Sequence, residues 1–253
     1  DYEKAISKST KILLWVHTSN YIMKGYTKEV PLEDIVSIGK KYKIPVVADL
    51  GSGSFIDMSN FDIPSEIPVS EIVKKGPDIT LFSGDKMLGG PQSGIILSTK
   101  ILINIIKSNS IYRTVRCDKI TIAILDDIIR SYKKNGFLKS NLALMLLTKD
   151  RKTLKKMAEE IINSVQEHKL RTLGLTIEDS MVEAGSGSLP EKNLKSVTLK
   201  FSPKNISIDI ISKSFKQYKV PIIGFINRNS FFIDLKAVLP SQSFHIIDAI
   251  NKV

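Results

Sequence analysis

Leu81-Phe82-Ser83-Gly84-Asp85-Lys86-Met87-Leu88-Gly89-Gly90-Pro91-Gln92 decides how the rest of the chain is read. The run Asp78-Ile79-Thr80-Leu81-Phe82 reads as a short buried strand. It opens into a polar, glycine-rich loop with one lysine, and a second apolar run, Ser93-Gly94-Ile95-Ile96-Leu97-Ser98, follows at once. A lysine on a tight loop at the edge of a sheet is partly desolvated, which lowers its pKa and suits it to forming a Schiff base. The plainer reading is a solvated lysine in a turn. The loop alone does not separate the two.

Upstream, Lys11 to His17 is an apolar run of strand length that leaves through Thr18-Ser19-Asn20-Tyr21. Pro31 then opens a helical pattern to Tyr42, with Leu32, Ile35, Val36 and Ile38 on one face. Ile44 to Asp49 reads as a second strand, ending in an acid and followed by Leu50-Gly51-Ser52-Gly53-Ser54. Pro68 to Gly76 is a short helix closed by glycine. Strand, helix, strand, helix, strand with apolar strands predicts a mostly parallel sheet covered on both faces. Ligands of such sheets sit beyond the carboxyl ends of the strands. Those ends supply His17 to Asn20, Asp49 to Ser54, and Ser83 to Lys86.

Asp49 and Lys86 at neighbouring strand ends are the pair that pyridoxal phosphate chemistry needs. The lysine forms an imine with the cofactor aldehyde, and the carboxylate keeps the pyridine nitrogen protonated so that the ring acts as an electron sink. Asn20 is placed to hydrogen-bond the ring hydroxyl, and Ser83 with backbone amides of the glycine-rich loops to bind the phosphate. Taken singly, Asp49 reads equally well as a cap or turn residue and Ser83 as a turn hydroxyl. Gly51-Ser52-Gly53-Ser54-Phe55-Ile56 lacks the third glycine of a dinucleotide fingerprint, and neither glycine-rich loop matches GxxxxGK[ST].

Helical patterns dominate from Lys100 to Lys107, Lys119 to Lys134, and Leu142 to His168, with a break near Thr148. After Leu173 the texture changes. Residues 176–183, 196–201, 221–226 and 230–235 read as strands, with helices over 206–218 and 241–253. The expected organisation is residues 1–150 as part of a cofactor-binding α/β domain and 151–253 as a small α+β domain. Gly-Ser-Gly-Ser occurs at 51–54 and 185–188, in flanking patterns too different for a repeat.

Composition narrows the class further. With 42% hydrophobic and 25% charged residues, the chain has the make-up of an ordinary soluble globular protein. Lys and Arg number 37 against 26 Asp and Glu, a net charge of +11. That balance permits a polyanionic partner such as nucleic acid, though lysine that merely solvates the surface accounts for it equally well. No apolar run approaches the ~20 residues of a membrane span. One cysteine, Cys117, excludes an internal disulfide and suits a reducing cytoplasm, and with three scattered histidines no structural zinc site is indicated. The polar start at Asp1, without methionine, reads as a piece of a longer protein.

Val47 to Ser54 together with Phe82 to Gln92 resembles the bacterial selenocysteine synthases, the L-seryl-tRNA(Sec) selenium transferases. His17-Thr18-Ser19-Asn20-Tyr21 with Gly25-Tyr26-Thr27, Arg113-Thr114-Val115-Arg116 with Asp118-Lys119, Gly185 to Pro190, and Val220-Pro221-Ile222-Ile223-Gly224 fall in the same order as in that family. The resemblance implies a fold-type-I pyridoxal phosphate transferase, present here as part of the large domain plus the small C-terminal domain. It makes Lys86 the Schiff-base lysine, Asp49 the pyridinium partner and Asp85 a catalytic aid to proton handling. Asn20, Ser83 and His17 complete the cofactor side. The implied reaction turns the seryl group of tRNA(Sec) into selenocysteinyl-tRNA(Sec) through an aminoacrylyl intermediate, with selenophosphate as selenium donor. Arg113 and Arg116, three apart on a helical turn, would face one way and suit that tetrahedral anion. Surface charge or tRNA-backbone contact is the plainer account of the two arginines. The resemblance also implies a cytoplasmic homo-oligomeric ring with sites between subunits, and a tRNA-recognition region upstream of this chain. Phe225 stands where the family pattern carries arginine, with Arg228 close behind it. The lysine motif and fold equally serve a related pyridoxal phosphate lyase acting on a small amino acid or amino sugar without tRNA. A non-catalytic assembly or tRNA-binding module is the reading from another class.

Overall fold

The computed structural model describes residues 1–17, 25–61, 63, 66–184 and 194–253. The chain divides into two compact units, the first essentially Asp1–Met145 and the second Leu146–Glu183 with Asn193–Val253.

In the first unit a short helix α1 (Tyr2–Ala5) precedes β1 (Leu13–Val16), α2 (Leu32–Tyr42), β2 (Val46–Asp49), α3 (Val69–Lys74), β3 (Ile79–Ser83) and β4 (Gly94–Ser98). The sheet order is β1-β2-β3-β4. The first three strands are parallel, with Val16 opposite Asp49 and Asp49 opposite Leu81. Parallel neighbours require crossover connections, and α2 and α3 supply them. β4 turns back antiparallel on β3, so the lysine loop is the bend of a hairpin, with Ser83 paired to Gly94.

α2 buries Leu32, Ile35 and Val36 and carries Glu33 and Asp34 in its first turn and Lys40 and Lys41 in its last, which complements the helix dipole. It lies close on β2 because Gly39 has no side chain, and a Cβ there would stand 2.5 Å from a Val46 methyl. Leu13, Val46, Ala48, Ile72, Phe82 and Leu88 complete this core. β2 is buried along Val46, Val47 and Ala48, as expected of an interior parallel strand. β1 instead alternates, leaving Leu14 and Val16 about half exposed.

Helices follow: α4 (Lys100–Ser108), α5 (Ser110–Val115), α6 (Lys119–Ser131), α7 (Phe137–Ser140) and α8 (Leu142–Leu147). The break expected near Thr148 falls between α8 and α9 (Arg151–Asn163), and a second break separates α9 from α10 (Glu167–Leu173). Asp150 causes the first break by capping α9, its Oδ1 accepting from Thr153 N at 2.7 Å.

The second unit has four antiparallel strands, β5 (Leu175–Val182), β6 (Leu194–Phe201), β7 (Phe225–Asn227) and β8 (Ser230–Asp234), in the order β5-β6-β8-β7. α9, α11 (Ile208–Gln217) and α12 (Ser243–Lys252) pack on it. Phe201, Phe215 and Phe231 form its centre, with ring centroids 5.2 to 5.6 Å apart. The strand expected over 221–226 is reduced to β7. Pro221 has no N–H for a ladder, and β7 itself is the exposed edge strand.

Candidate active site

The parallel ladder continues past the strands and so brings their carboxyl ends together. His17 N donates to Asp49 O at 2.8 Å, Leu50 N to Leu81 O at 2.9 Å, and Ser83 N to Gly51 O at 3.1 Å. Two glycines make the loop after β2 possible. Gly51 (φ +66°) and Gly53 (φ +69°) occupy the left-handed region, and a Cβ on Gly53 would stand 2.6 Å from Ser83 O. Met87 N donates to Ser52 O at 3.0 Å, which ties the lysine's loop to the loop of the neighbouring strand.

The lysine loop is braced on its other side by two residues that the sequence reading missed. Tyr132 OH and Asn141 Nδ2 both donate to Leu88 O, at 2.8 and 2.9 Å. Asn141 is buried, and its Oδ1 accepts from Leu144 N at 3.2 Å. A Cβ on Gly89 would fall 2.3 Å from that oxygen. Burial pushes the Tyr132 phenol far above its ordinary pKa, so it acts as a neutral donor. An asparagine directly ahead of an apolar helical run was the available signal for this cap.

Lys86 is half-buried, and among the described residues its Nζ has no hydrogen-bond or ion-pair partner. Asp49 is also half-buried. Its Oδ1 accepts from Gly51 N at 3.1 Å, and Oδ2 has no partner among the described residues. Ser83 is half-buried and Asp85 exposed beside the lysine. Several of the loop amides expected as phosphate ligands are engaged within the fold. Ser83 N donates to Gly51 O, Gly84 N to Ser93 O, Gly89 N to Lys86 O and Gly90 N to Gly84 O. Asn20 lies outside the described residues, as do residues 185–190 of the second Gly-Ser-Gly-Ser loop.

His17 follows β1 with its ring stacked on Trp15, centroids 5.9 Å apart and planes 14° apart. Its Nε2 stands 3.4 Å from Oε2 of Glu66, a buried carboxylate that the sequence reading also passed over. The arginine pair requires a correction. α5 ends at Val115 and Arg116 is extended (φ −64°, ψ 140°), so Arg113 and Arg116 do not share a helical face. Both are exposed, and no hydrogen bond or ion pair links either to the strand ends among the described residues. Asp118 just beyond caps α6, accepting from Ile120 N and Thr121 N, and those N–H groups hold its carboxyl below the usual range. Among the described residues there is no cluster of three or more His, Cys, Asp or Glu able to hold a metal, and no helix long and apolar enough to cross a membrane.

A lysine hairpin beside a parallel sheet, followed by a separate antiparallel C-terminal sheet, defines a fold-type-I pyridoxal phosphate enzyme architecture. In keeping with it, the chain superposes on D-glucosaminate-6-phosphate ammonia-lyase with a TM-score of 0.61, at 16% identity, over 99% of this chain and 59% of that one. Residues 1–239 match the family model described as L-seryl-tRNA selenium transferase. The L-seryl-tRNA(Sec) selenium transferase of Carboxydothermus hydrogenoformans is 36% identical over 242 residues, covering 96% of this chain and 52% of the relative. That of Desulfotalea psychrophila is 38% identical, covering 94% and 51%. This chain belongs to the L-seryl-tRNA selenium transferase family. It spans about half the length of these curated relatives.

Proposed function

We propose that the end of the parallel sheet holds pyridoxal phosphate, and that the complete protein uses it to convert seryl-tRNA(Sec) to selenocysteinyl-tRNA(Sec) with selenophosphate as selenium donor. The observation that carries this reading is that Lys86 and Asp49, both half-buried, stand past the ends of adjacent parallel strands, with neither Lys86 Nζ nor Asp49 Oδ2 partnered among the described residues. The donor set fits the group: Lys86 Nζ for its aldehyde, Asp49 Oδ2 for its pyridine nitrogen, and the Ser83 hydroxyl for its phosphate. Bound there, pyridoxal phosphate supplies an electron sink for the substrate α-carbon, so that the β-hydroxyl can leave and selenium can take its place.

The chain's own residues then divide the work. Lys86 carries the cofactor, Asp49 keeps the ring nitrogen protonated, and Asp85 exchanges protons near the amine. Asn20 orients the ring hydroxyl, and His17 assists from the end of β1. Arg113 and Arg116, one at the end of α5 and one just past it, bind the selenophosphate anion by charge. The names of the relatives support seryl-tRNA(Sec) as the substrate. We place the complete protein in the cytoplasm as a homo-oligomer.

The test uses the complete protein, wild type and Lys86→Ala. The wild type is expected to retain pyridoxal phosphate through dialysis, and borohydride to fix it on the peptide containing Lys86. The variant should lose both signals and all selenocysteinyl-tRNA formation. Turnover of a free amino acid or amino sugar without selenocysteinyl-tRNA would replace this reading with a lyase. A wild type that never takes up the cofactor ends both.

A further inference from the structure

Glu66 is 2% exposed and lies between the turn Met58–Phe61 and α3, beside the strand ends. A carboxylate is costly to bury unless hydrogen bonds or an opposing charge compensate it. Ser52 Oγ donates to Glu66 Oε2 at 3.1 Å, and His17 Nε2 stands 3.4 Å from the same oxygen. Each contact reaches a different strand end. His17 closes β1, and its N–H donates to Asp49 O at 2.8 Å. Ser52 belongs to the loop after β2, and its carbonyl accepts from Met87 N, next to Lys86. One buried carboxylate therefore touches the ends of β1 and β2 directly and reaches the lysine loop through Ser52.

The carboxylate also sets the state of the imidazole. It can only accept, so the ring nitrogen nearest to it carries a hydrogen. Nδ1 is then the ring nitrogen that carries the lone pair. Stacking on Trp15, itself held by Trp15 Nε1 donating to Val30 O at 3.2 Å, restrains rotation of the ring. A buried acid orienting a histidine in this way is a recurrent device for fixing tautomer and direction together.

We propose that Glu66 is a positioning residue of the site, acting through His17 and Ser52. It holds the imidazole with Nε2 inward and the lone pair on Nδ1, and keeps the lysine loop in register with Asp49. This inference rests on the cofactor-site reading above.

Glu66→Gln in the complete protein tests it, because glutamine keeps the volume and an acceptor for Ser52 while removing the charge. The cofactor-loaded variant should keep its melting temperature and cofactor content. Its kcat for selenocysteinyl-tRNA formation should fall roughly 10- to 100-fold with KM for seryl-tRNA(Sec) unchanged. Combining it with His17→Asn should cost no more than the worse single change, the sign of two residues acting as one unit. Imidazole nitrogen NMR supplies a readout that needs no turnover: with three histidines in this chain, the His17 signal can be assigned by substitution. The wild type should show the Nε2-protonated form, and Glu66→Gln a mixture of tautomers. Identical His17 spectra in the two proteins, single effects that multiply in the double variant, or a kcat that falls only together with the melting temperature would each overturn the proposal. A wild type inactive on seryl-tRNA(Sec) would defeat the substrate assignment instead, since the NMR comparison stands without it.

Discussion

The two sheets treat their polar groups in opposite ways. In the second unit the polar side chains on the strands are paired with one another. Ser180 and Ser196 both donate to the Asp234 carboxylate at 2.7 Å, Lys200 Nζ meets Glu178 at 2.7 Å, and Arg151 grips Asp179 through two 2.7 Å hydrogen bonds. In the first unit, Lys86 and one oxygen of Asp49 have no partner among the described residues, although both are half-buried. The apolar side chains do not divide in this way. The second unit closes over a phenylalanine centre but leaves Ile210, Ile223 and Phe244 exposed, and α4, α5 and α6 of the first likewise leave Ile101, Ile105, Ile111, Val115 and Ile120 exposed. Partly desolvated groups without partners concentrate where chemistry is carried out, and paired ones where a unit serves mainly to hold its shape.

The contrast is broken most severely by emptying the second core. Phe231→Ala removes a fully buried ring packed on Phe201 and Phe215, and should destabilise that unit by about 3–5 kcal/mol. Hydrogen exchange in β6 and β8 of the complete protein is the measurement, and protection there should collapse while β2 and β3 keep theirs. A smaller effect tests the first unit. Gly53→Ala places a methyl against Ser83 O in a left-handed conformation, a strain of about 1–3 kcal/mol. It should appear as lost cofactor retention with β5 to β8 unaffected, and full retention would show that the loop relaxes.

The smallest effect concerns pH. Hydrogen bonds from the side chain and backbone of Thr153 hold the Asp150 carboxyl below its ordinary range. A depressed carboxylate stabilises the folded state above the ordinary aspartate pKa, and that contribution is lost as pH falls through the depressed folded value. Asp150→Asn keeps an N-capping acceptor without the charge. Its melting temperature should therefore trail the wild type at neutral pH and converge with it in acid. Curves that stay parallel at all pH values would remove Asp150 from the account.

The strand ends and the lysine hairpin were legible because each is written in consecutive residues: an apolar run, then glycines, then one reactive side chain. What escaped depends on distant partners. Glu66 is a lone acid between Ile63 and Pro68, and nothing local says that Ser52 and His17 will bury it. Asn141 carries an ordinary capping signal, but its second hydrogen bond goes to Leu88, far away in sequence. Spacing alone puts Arg116 on one helical face with Arg113, whereas the helix ends before it, at Val115. The strand expected over 221–226 is shortened for a local reason, since Pro221 has no N–H for a ladder and Ile222 N donates to Phe215 O instead.

The bend between β3 and β4 is held by its own main chain: Gly84 to Ser93, Gly90 to Gly84, Gly89 to Lys86, and Met87 across to Ser52. Its shape is therefore recorded in the number of residues more than in their side chains. Surface substitutions at Asp85 or Gln92 leave those bonds intact, whereas one residue inserted or deleted between Ser83 and Gly94 shifts every pairing and carries the lysine with it. Length is the property of this hairpin that an engineer has least freedom to alter.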